Sequence, residues 1–320
     1  MRHNVAIASA TPFKKTENRL HPKRTRSLQF KEDLAGYLFI LPSYLGFIVF
    51  VLFPVVFSLV LSFTSWNFIS GLDSIEFIGL RNFARLFRDE WFIDSMKNTL
   101  IYAFTTVPIG LAIALILAAV INKYVFAPNL TKMLLFLPYI SSIVAISVVW
   151  MVILHPTYGP VNNFLTNMGV DNPPRWFVDV NWALPSIIAM SIWRQLGYMV
   201  LVYIAGLKAI SDELYEAADI DGASPVQKFF KVTIPMVSPA TFFLLIMGMI
   251  QSFRVFDEIS VITQGGPARA TTVLAFYMYK TAFEYYEMGY ASAITWAMFV
   301  LIFAVTLVQW RGQKRFTVDQ

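Results

Sequence analysis

The chain has no cysteine, only three histidines, and little charge of either sign. The missing cysteine excludes a disulfide framework, a thiol nucleophile and a cysteine-based metal site. His3, His21 and His155 are too scattered along the 320 residues to build a histidine-rich metal centre. Charged residues make up 14% of the chain, against about 25% in an ordinary soluble domain. A chain with so few polar groups cannot cover its own surface in water, which excludes a soluble enzyme, a disordered linker and a fibrous repeat. There is no Gly-x-x-x-x-Gly-Lys-Ser/Thr loop to cradle nucleotide phosphates, and no tandem repeat. Residues 1–35 lack the apolar core and small-residue cleavage site of a secretory signal.

What is abundant is apolar. Hydrophobic residues make up 57% of the chain, and aromatics 16%. Six apolar stretches lie at about 36–63, 99–121, 133–154, 184–206, 241–262 and 289–309, each close to the ~20 residues that a helix needs to cross hydrocarbon. Backbone groups in lipid must satisfy one another, so these stretches are expected to be helices. The expected class is an all-α polytopic membrane protein with six transmembrane helices. Arg254, Asp257 and Glu258 interrupt the fifth stretch, and prolines 42, 54, 108, 138 and 185 sit in or at the ends of spans.

The net charge of +5 is distributed as a topology signal rather than as a nucleic-acid face. Arg2, Lys14, Lys15, Arg19, Lys23, Arg24, Arg26 and Lys31 fall in the leading segment. Lys123, Lys132, Lys208, Lys228, Lys231, Arg311, Lys314 and Arg315 fall on the same side of a six-span chain. The opposite loops carry Arg81, Arg85, Arg88, Lys97, Arg175, Arg269 and Lys280. The positive-inside rule then puts both termini in the cytoplasm. The expected organisation is a basic, mostly flexible tail at 1–35, a membrane domain at 36–310 and a short cytoplasmic tail at 311–320. Residues 76–98 have apolar spacing suited to a short interfacial helix.

The cytoplasmic loop at 207–240 carries the most local information. Ser211 is a good N-cap, with Asp212 and Glu213 in the first turn. A helix can run through Glu216-Ala217-Ala218. Asp221-Gly222 is a turn pair, with Gly222 suited to the left-handed conformation that closes a helix. Ser224-Pro225-Val226-Gln227 reads as a capping box with proline at the first helical position. Phe229, Phe230 and Val232 supply the second helix's apolar face, and Pro235 and Pro239 are expected to end it. The result is a helix–turn–helix protruding into the cytoplasm, with Ala217, Ala218 and Ala223 at a small apolar tip. An amphipathic hairpin lying on the bilayer surface would share these features.

Glu216-Ala217-Ala218, Gly222 and Ile234-Pro235 resemble the EAA loop of ABC-importer permeases. LPSYLGFIVFVLFPVVFSLVLSFTSWN at 41–67, FIGLRNFARLF at 77–87, LHPTYGPVNNFL at 154–165, FDEISVITQGGP at 256–267 and GYASAITWAM at 289–298 extend the resemblance over about residues 30–315. It is strongest to the first-permease form of the maltose, lactose and glycerol-phosphate branch. One departure is Ser211, where the family usually has proline. The resemblance implies a type I ABC importer permease fold in a bacterial inner membrane. It also implies a second homologous permease, two cytoplasmic ATPase subunits that hold the ATP and Mg, an extracytoplasmic solute-binding protein and a carbohydrate substrate moved by alternating access. No catalytic residue, cofactor or metal is implied on this chain. Glu216, Ala217, Ala218, Asp221, Gly222, Ala223, Ser224 and Pro235 would form the contact through which the ATPase drives the spans.

For the substrate, Gly248, Gln251, Ser252 and Val255 share an i, i+3, i+4, i+7 helix face, and Trp193, Gly197 and Val200 form a second face. An aromatic platform with an amide and a hydroxyl suits a sugar, and the corresponding stretches line the sugar path in the resembled maltose importer. Small and polar residues serve helix packing equally. Arg194 and Arg254 can face an aqueous cavity and attract an acidic sugar, such as alginate, or pair with Asp257 and Glu258. Gly265-Gly266-Pro267 reads as a sharp outer turn, or as a contact for the binding protein. An autonomous secondary transporter or channel is the alternative function, with Asp257 and Glu258 as its sole buried acids; it leaves the capped loop without a purpose.

Overall fold

The computed structural model describes residues 26–124 and 127–316. Helix α1 (Arg26–Phe47) begins ten residues before the expected span, inside the segment read as a tail; the rest of that segment lies outside the described residues. It widens into a π-turn at Ile48–Leu52 and continues as α2 (Phe53–Leu61). The Phe53 N–H reaches the Ile48 carbonyl. The wider turn ends two residues before Pro54, whose ring would otherwise press on the carbonyl of the preceding turn.

Among the described residues, those from Phe57 onward form one unit and those up to Val56 a separate one. The larger unit begins with a two-residue antiparallel pairing of β1 (Thr64–Ser65) and β2 (Glu76–Phe77). The short helix expected in the first outer loop is present as α3 (Arg81–Leu86). Helix α4 (Glu90–Tyr124) then runs 35 residues, with Pro108 inside it. After α5 (Pro128–Ile140), α6 (Ile143–Ile153) and α7 (Pro160–Asn167), the long α8 (Ala183–Lys208) packs along α4. A helical hairpin follows as α9 (Asp212–Ile220), α10 (Pro225–Lys228) and α11 (Ile234–Met236). Next come α12 (Ser238–Phe253), α13 (Asp257–Ile262), α14 (Leu274–Tyr279) and α15 (Met288–Phe316).

The core is the meeting of α4, α8 and α12. Val107, Leu111 and Ala114 interlock there with Met199, Val200, Tyr203, Leu244, Met249 and Phe253. Small residues set the spacing. At Gly197 a Cβ would overlap the Leu135 carbonyl, so α5 lies backbone against α8. At Gly248 a Cβ would sit 3.1 Å from Val107. The outward stripe of α4 (Ile109, Ile113, Ile116 and Val120) is exposed at helical spacing. Such a surface suits lipid or an apolar partner and not water.

Two expectations about the spans are corrected. The third stretch is not one straight helix: α5 and α6 meet at 99°. Ser141 and Ser142 are extended there, with ψ of 153° and 127°, and the Ser141 hydroxyl donates to the Leu137 carbonyl at 2.8 Å, competing with the helical ladder. The fifth stretch breaks at its charged residues, between Phe253 and Asp257. Among the described residues five helices are long and apolar enough to cross a membrane, Ser238–Ile262 among them despite its break, or six if the bent pair is one span.

Candidate functional site: a capped hairpin and a polar cavity

The hairpin is built by local capping. Ser211 Oγ accepts the Glu213 N–H at 3.3 Å. At the far end of α9 the Ala223 N–H reaches the Ala218 carbonyl at 2.9 Å, and the Gly222 N–H reaches the Asp219 carbonyl at 3.0 Å. This is a complete Schellman closure, with Gly222 at φ +74°. Two residues on, Ser224 Oγ accepts the Gln227 N–H, and Gln227 Oε1 accepts the Ser224 N–H at 2.8 Å. Ser224 therefore closes the expected capping box ahead of Pro225.

Pro235 does not end the second arm. The chain passes from α10 through a π-turn at Phe229–Thr233 into α11. Again the wide turn finishes two residues before proline, and the break comes later, at Val237. Phe229 packs toward the core with Tyr215 and Ile234, whereas Phe230 is exposed. The exposed outer surface is larger than an alanine tip. Glu216, Ala217 and Asp221 are exposed, with Ala218 and Ala223 half-buried. Leu214, Val226, Phe230 and Ile220 are also exposed, Ile220 at 87%. Phe230 belongs to the apolar face expected of the second helix; Leu214, Ile220 and Val226 were given no such role in the sequence reading, although Leu214 and Ile220 frame the Glu216-Ala217-Ala218 motif.

The second feature is a cavity of about 460 Å³ at the break in the fifth span. Tyr102, Tyr139, Arg194, Gln195, Gln251, Ser252, Val255 and Phe256 line it, together with Arg254, Asp257 and Glu258. Arg194 pairs with Glu258 at 3.4 Å, the carboxylate side chain being 7% exposed. The Arg194 Nε and the buried Ser252 Oγ have no hydrogen-bond partner among the described residues. Arg254 and Asp257 are exposed at the cavity and form no ion pair among the described residues. The cavity is thus polar and carries charge of both signs.

The two expected helix faces divide. Gln251, Ser252 and Val255 border the cavity. Gly248 lies against Val107 and Gly197 against Leu135, and Val200 is wholly buried in the α4–α8–α12 core. Trp193 is exposed and meets Trp150 edge-on at 5.5 Å. Tyr102, Tyr139 and Gln195 line the cavity without having been singled out; they reside in three different apolar stretches, so only the fold joins them.

The turn at Gly265-Gly266-Pro267 is tightly held. Gly265 is buried at φ +83°, where a Cβ would stand 2.7 Å from Thr272 Oγ1. Thr272 donates to the Gly265 carbonyl at 2.9 Å, and Thr271 donates to that of Gly266. Pro267 follows Gly266 in this loop, and Asn98 Nδ2 donates to the carbonyls of Arg269 and Thr272, each at 3.0 Å. Arg269 in turn meets Asp94 at 3.2 Å. Nearby, the hydroxyls of Tyr277 and Tyr290 both donate to Asp89 Oδ2. Partial burial by itself would raise the Asp89 carboxyl. The two phenols and the backbone N–H groups of Trp91 and Phe92 outweigh it and hold the carboxyl below its ordinary range. Burial, followed by the Asp89 contact, pushes the Tyr277 phenol up.

Comparison with known proteins accords with this architecture. Residues 84–317 match the family described as binding-protein-dependent transport system inner membrane component. The chain is 38% identical to the probable ABC transporter permease protein YesP of Bacillus subtilis (strain 168), over 89% of this chain and 92% of that protein. It is 32% identical to the sn-glycerol-3-phosphate transport system permease protein UgpA of Pectobacterium atrosepticum, over 89% of this chain and 96% of that one. It also superposes on a chain of the bacterial alginate ABC transporter crystallised in complex with an alginate pentasaccharide-bound periplasmic protein. That match has a TM-score of 0.79 and 26% identity, over 92% of this chain and 99% of the other. A helical membrane chain with this hairpin, matched along most of its length, belongs to the family of binding-protein-dependent transport system inner membrane components.

Proposed function

We propose that the chain is the translocation subunit of an ATP-driven importer of carbohydrates, paired with a second permease of the same kind. The observation that carries this reading is the doubly capped hairpin at 211–224. Its inner side chains join the helix core and its outer apolar ones are exposed. A stiff lever transmits displacement that a loose loop would absorb. Because the chain has no phosphate-cradling loop, the energy enters through contact with a separate ATPase dimer. Glu216 offers a carboxylate to a cation of that partner. Ala217, Ala218 and Ala223 keep the approach close. Asp221, Gly222 and Ser224 hold the turn, and Pro235 sits where the second arm joins the span. Closure of the ATPase dimer draws the docked hairpins together and favours the outward-open arrangement of the spans. This orientation puts both termini in the cytoplasm.

The cavity at Gln251, Ser252 and Val255 supports a substrate path, since an amide and an orphan hydroxyl suit sugar hydroxyl groups. Trp193, next in sequence to the cavity-lining Arg194, is the aromatic candidate, while Gly248, Gly197 and Val200 set the helix spacing. The turn at Gly265, Gly266 and Pro267 is the contact offered to the binding protein. Arg254 offers a cation to an acidic group and the neighbouring Asp257 a carboxylate to sugar hydroxyls, so the cavity accommodates an acidic or a neutral carbohydrate.

The test is purification of the chain with its partners, followed by uptake and ATPase assays. An ATPase should co-purify, and a panel of neutral and acidic oligosaccharides presented with loaded binding protein should stimulate it selectively. Glu216→Lys and Gly222→Asp should abolish uptake while the protein stays in the membrane. Normal uptake by both variants refutes the coupling role. Uptake without any ATPase points to an autonomous transporter.

A further inference from the structure

We propose that Asp219 and Lys228 are positioning residues that brace the two arms of the hairpin and set how much transport each ATP yields. The inference rests on the coupling reading above and concerns residues that the recognition motif does not include. Capping fixes each arm separately: Ser211 and the Schellman closure shape α9, and the Ser224–Gln227 box shapes α10. Neither sets the angle between them.

Two contacts cross from one arm to the other. Lys228 Nζ donates to Asp219 Oδ1, with the lysine side chain only 14% exposed. Farther from the tip, the Tyr215 and Thr233 hydroxyls share a hydrogen bond of 3.0 Å. Thr233 is buried at the end of the π-turn, and Tyr215 packs against the core formed by α4, α8 and α12. The pair and the hydroxyl bridge therefore make two rungs, one near the tip and one at the root.

A cavity of about 490 Å³ lies behind these rungs. It is bordered by Val120 and Asn122 near the end of α4, by Tyr215 and Phe229, and by Asp219 and Lys228 themselves. The hairpin is thus not backed by solid packing at this point. An inward push on the tip can fold the arms into that space unless the rungs resist. The charged rung lies closer to the tip and has the longer lever arm. Cut it, and part of the partner's stroke is spent on bending the hairpin instead of moving the spans.

The experiment uses the whole transporter in vesicles and compares wild type with Asp219→Lys, Lys228→Asp, Asp219→Asn and the exchange pair D219K/K228D. Three quantities are read: ATPase retained on purification, ATP hydrolysed, and substrate moved per ATP. Each single variant should retain the ATPase yet move about two- to fivefold less substrate per ATP, and the exchange pair should recover at least half of the loss. Wild-type yield in the single variants overturns the brace. So does an exchange pair as poor as its parents. Loss of the ATPase from Asp219→Asn also overturns it, because the pair would then be part of the docking surface. A wild-type chain that purifies and transports without any ATPase sinks the coupling reading itself, a result separate from the other three.

Discussion

Replacing Gly197 with alanine should loosen the transmembrane core far more than the same change at Gly248. Both glycines are buried on long helices, and both belong to faces considered for the substrate path. At Gly197 the new Cβ would overlap the Leu135 carbonyl oxygen and stand 2.5 Å from its carbon and 2.6 Å from Phe136 Cα. All three are main-chain atoms, so no side chain can rotate away. Helices α5 and α8 must part by about 1 Å, and overpacking of that kind costs about 3 kcal/mol. Better helix propensity returns about 1 kcal/mol, which leaves a net loss of about 2 kcal/mol. At Gly248 the nearest atoms are Val107 Cγ1 and Cγ2, at 3.1 and 3.4 Å. Val107 has to give only a few tenths of an ångström, and the propensity gain offsets the strain to about zero. Heating the purified protein in detergent and following the folded fraction by size exclusion compares the two. The midpoint for Gly197→Ala should fall by about 5 °C, and that for Gly248→Ala should stay within a degree or so of wild type. A wild-type midpoint for Gly197→Ala, or a larger fall for Gly248→Ala, refutes the assignment of these contacts.

Asp89 gives a pH prediction. Its carboxyl is held below the ordinary aspartate value of 3.8, so its contribution is fully present above that value and is lost as pH falls through the lower folded-state value. The thermal midpoint of wild type should drop more steeply below about pH 4 than that of Asp89→Asn; parallel curves would rule the phenol-bound carboxylate out. Arg194→Met strands the buried Glu258 charge and should cost about 3 kcal/mol, most of which the double variant R194M/E258M recovers. A double variant less stable than the single one contradicts the pairing. Ser224→Ala removes the capping box and should weaken the start of α10 by about 1 kcal/mol. Faster amide exchange at Gln227, with an unchanged global midpoint, is the expected signature; unchanged exchange would show that the box carries no local stability.

The parts of the fold that the sequence made legible are those decided within a few residues. Ser211, Gly222 and the Ser224–Gln227 pair depend on backbone groups two to five positions apart, and each is found where capping chemistry puts it. Pro235 was misread for an instructive reason. Proline stops an ordinary helix, but a π-turn just before it moves the offending carbonyl aside, and the same device serves Pro54. Nothing in the residue types distinguishes a helix that will widen from one that will stop. The bend at Ser141–Ser142 was hidden likewise, because two serines in an apolar run read as tolerable polar residues. The Asp89 cluster has no local signal at all: its two phenols lie 188 and 201 positions away.

The same distinction explains why the substrate face was only half right as a geometric unit. Residues at i, i+3, i+4 and i+7 share a helix face, but a face about 100° wide on a helix packed on two sides is not uniformly presented. Gln251 and Ser252 are neighbours, so they point about 100° apart. Gln251 is exposed while Ser252 is 3% exposed, yet both meet the cavity because it opens at a helix break. The break itself follows from charge. Arg254, Asp257 and Glu258 cannot all face lipid on one continuous helix without a large cost. Ending α12 at Phe253 and restarting at Asp257 turns Glu258 toward Arg194 and brings Arg254 and Asp257 to the cavity wall. The interruption that weakens the fifth stretch as a membrane span is therefore what gives the membrane core a polar chamber.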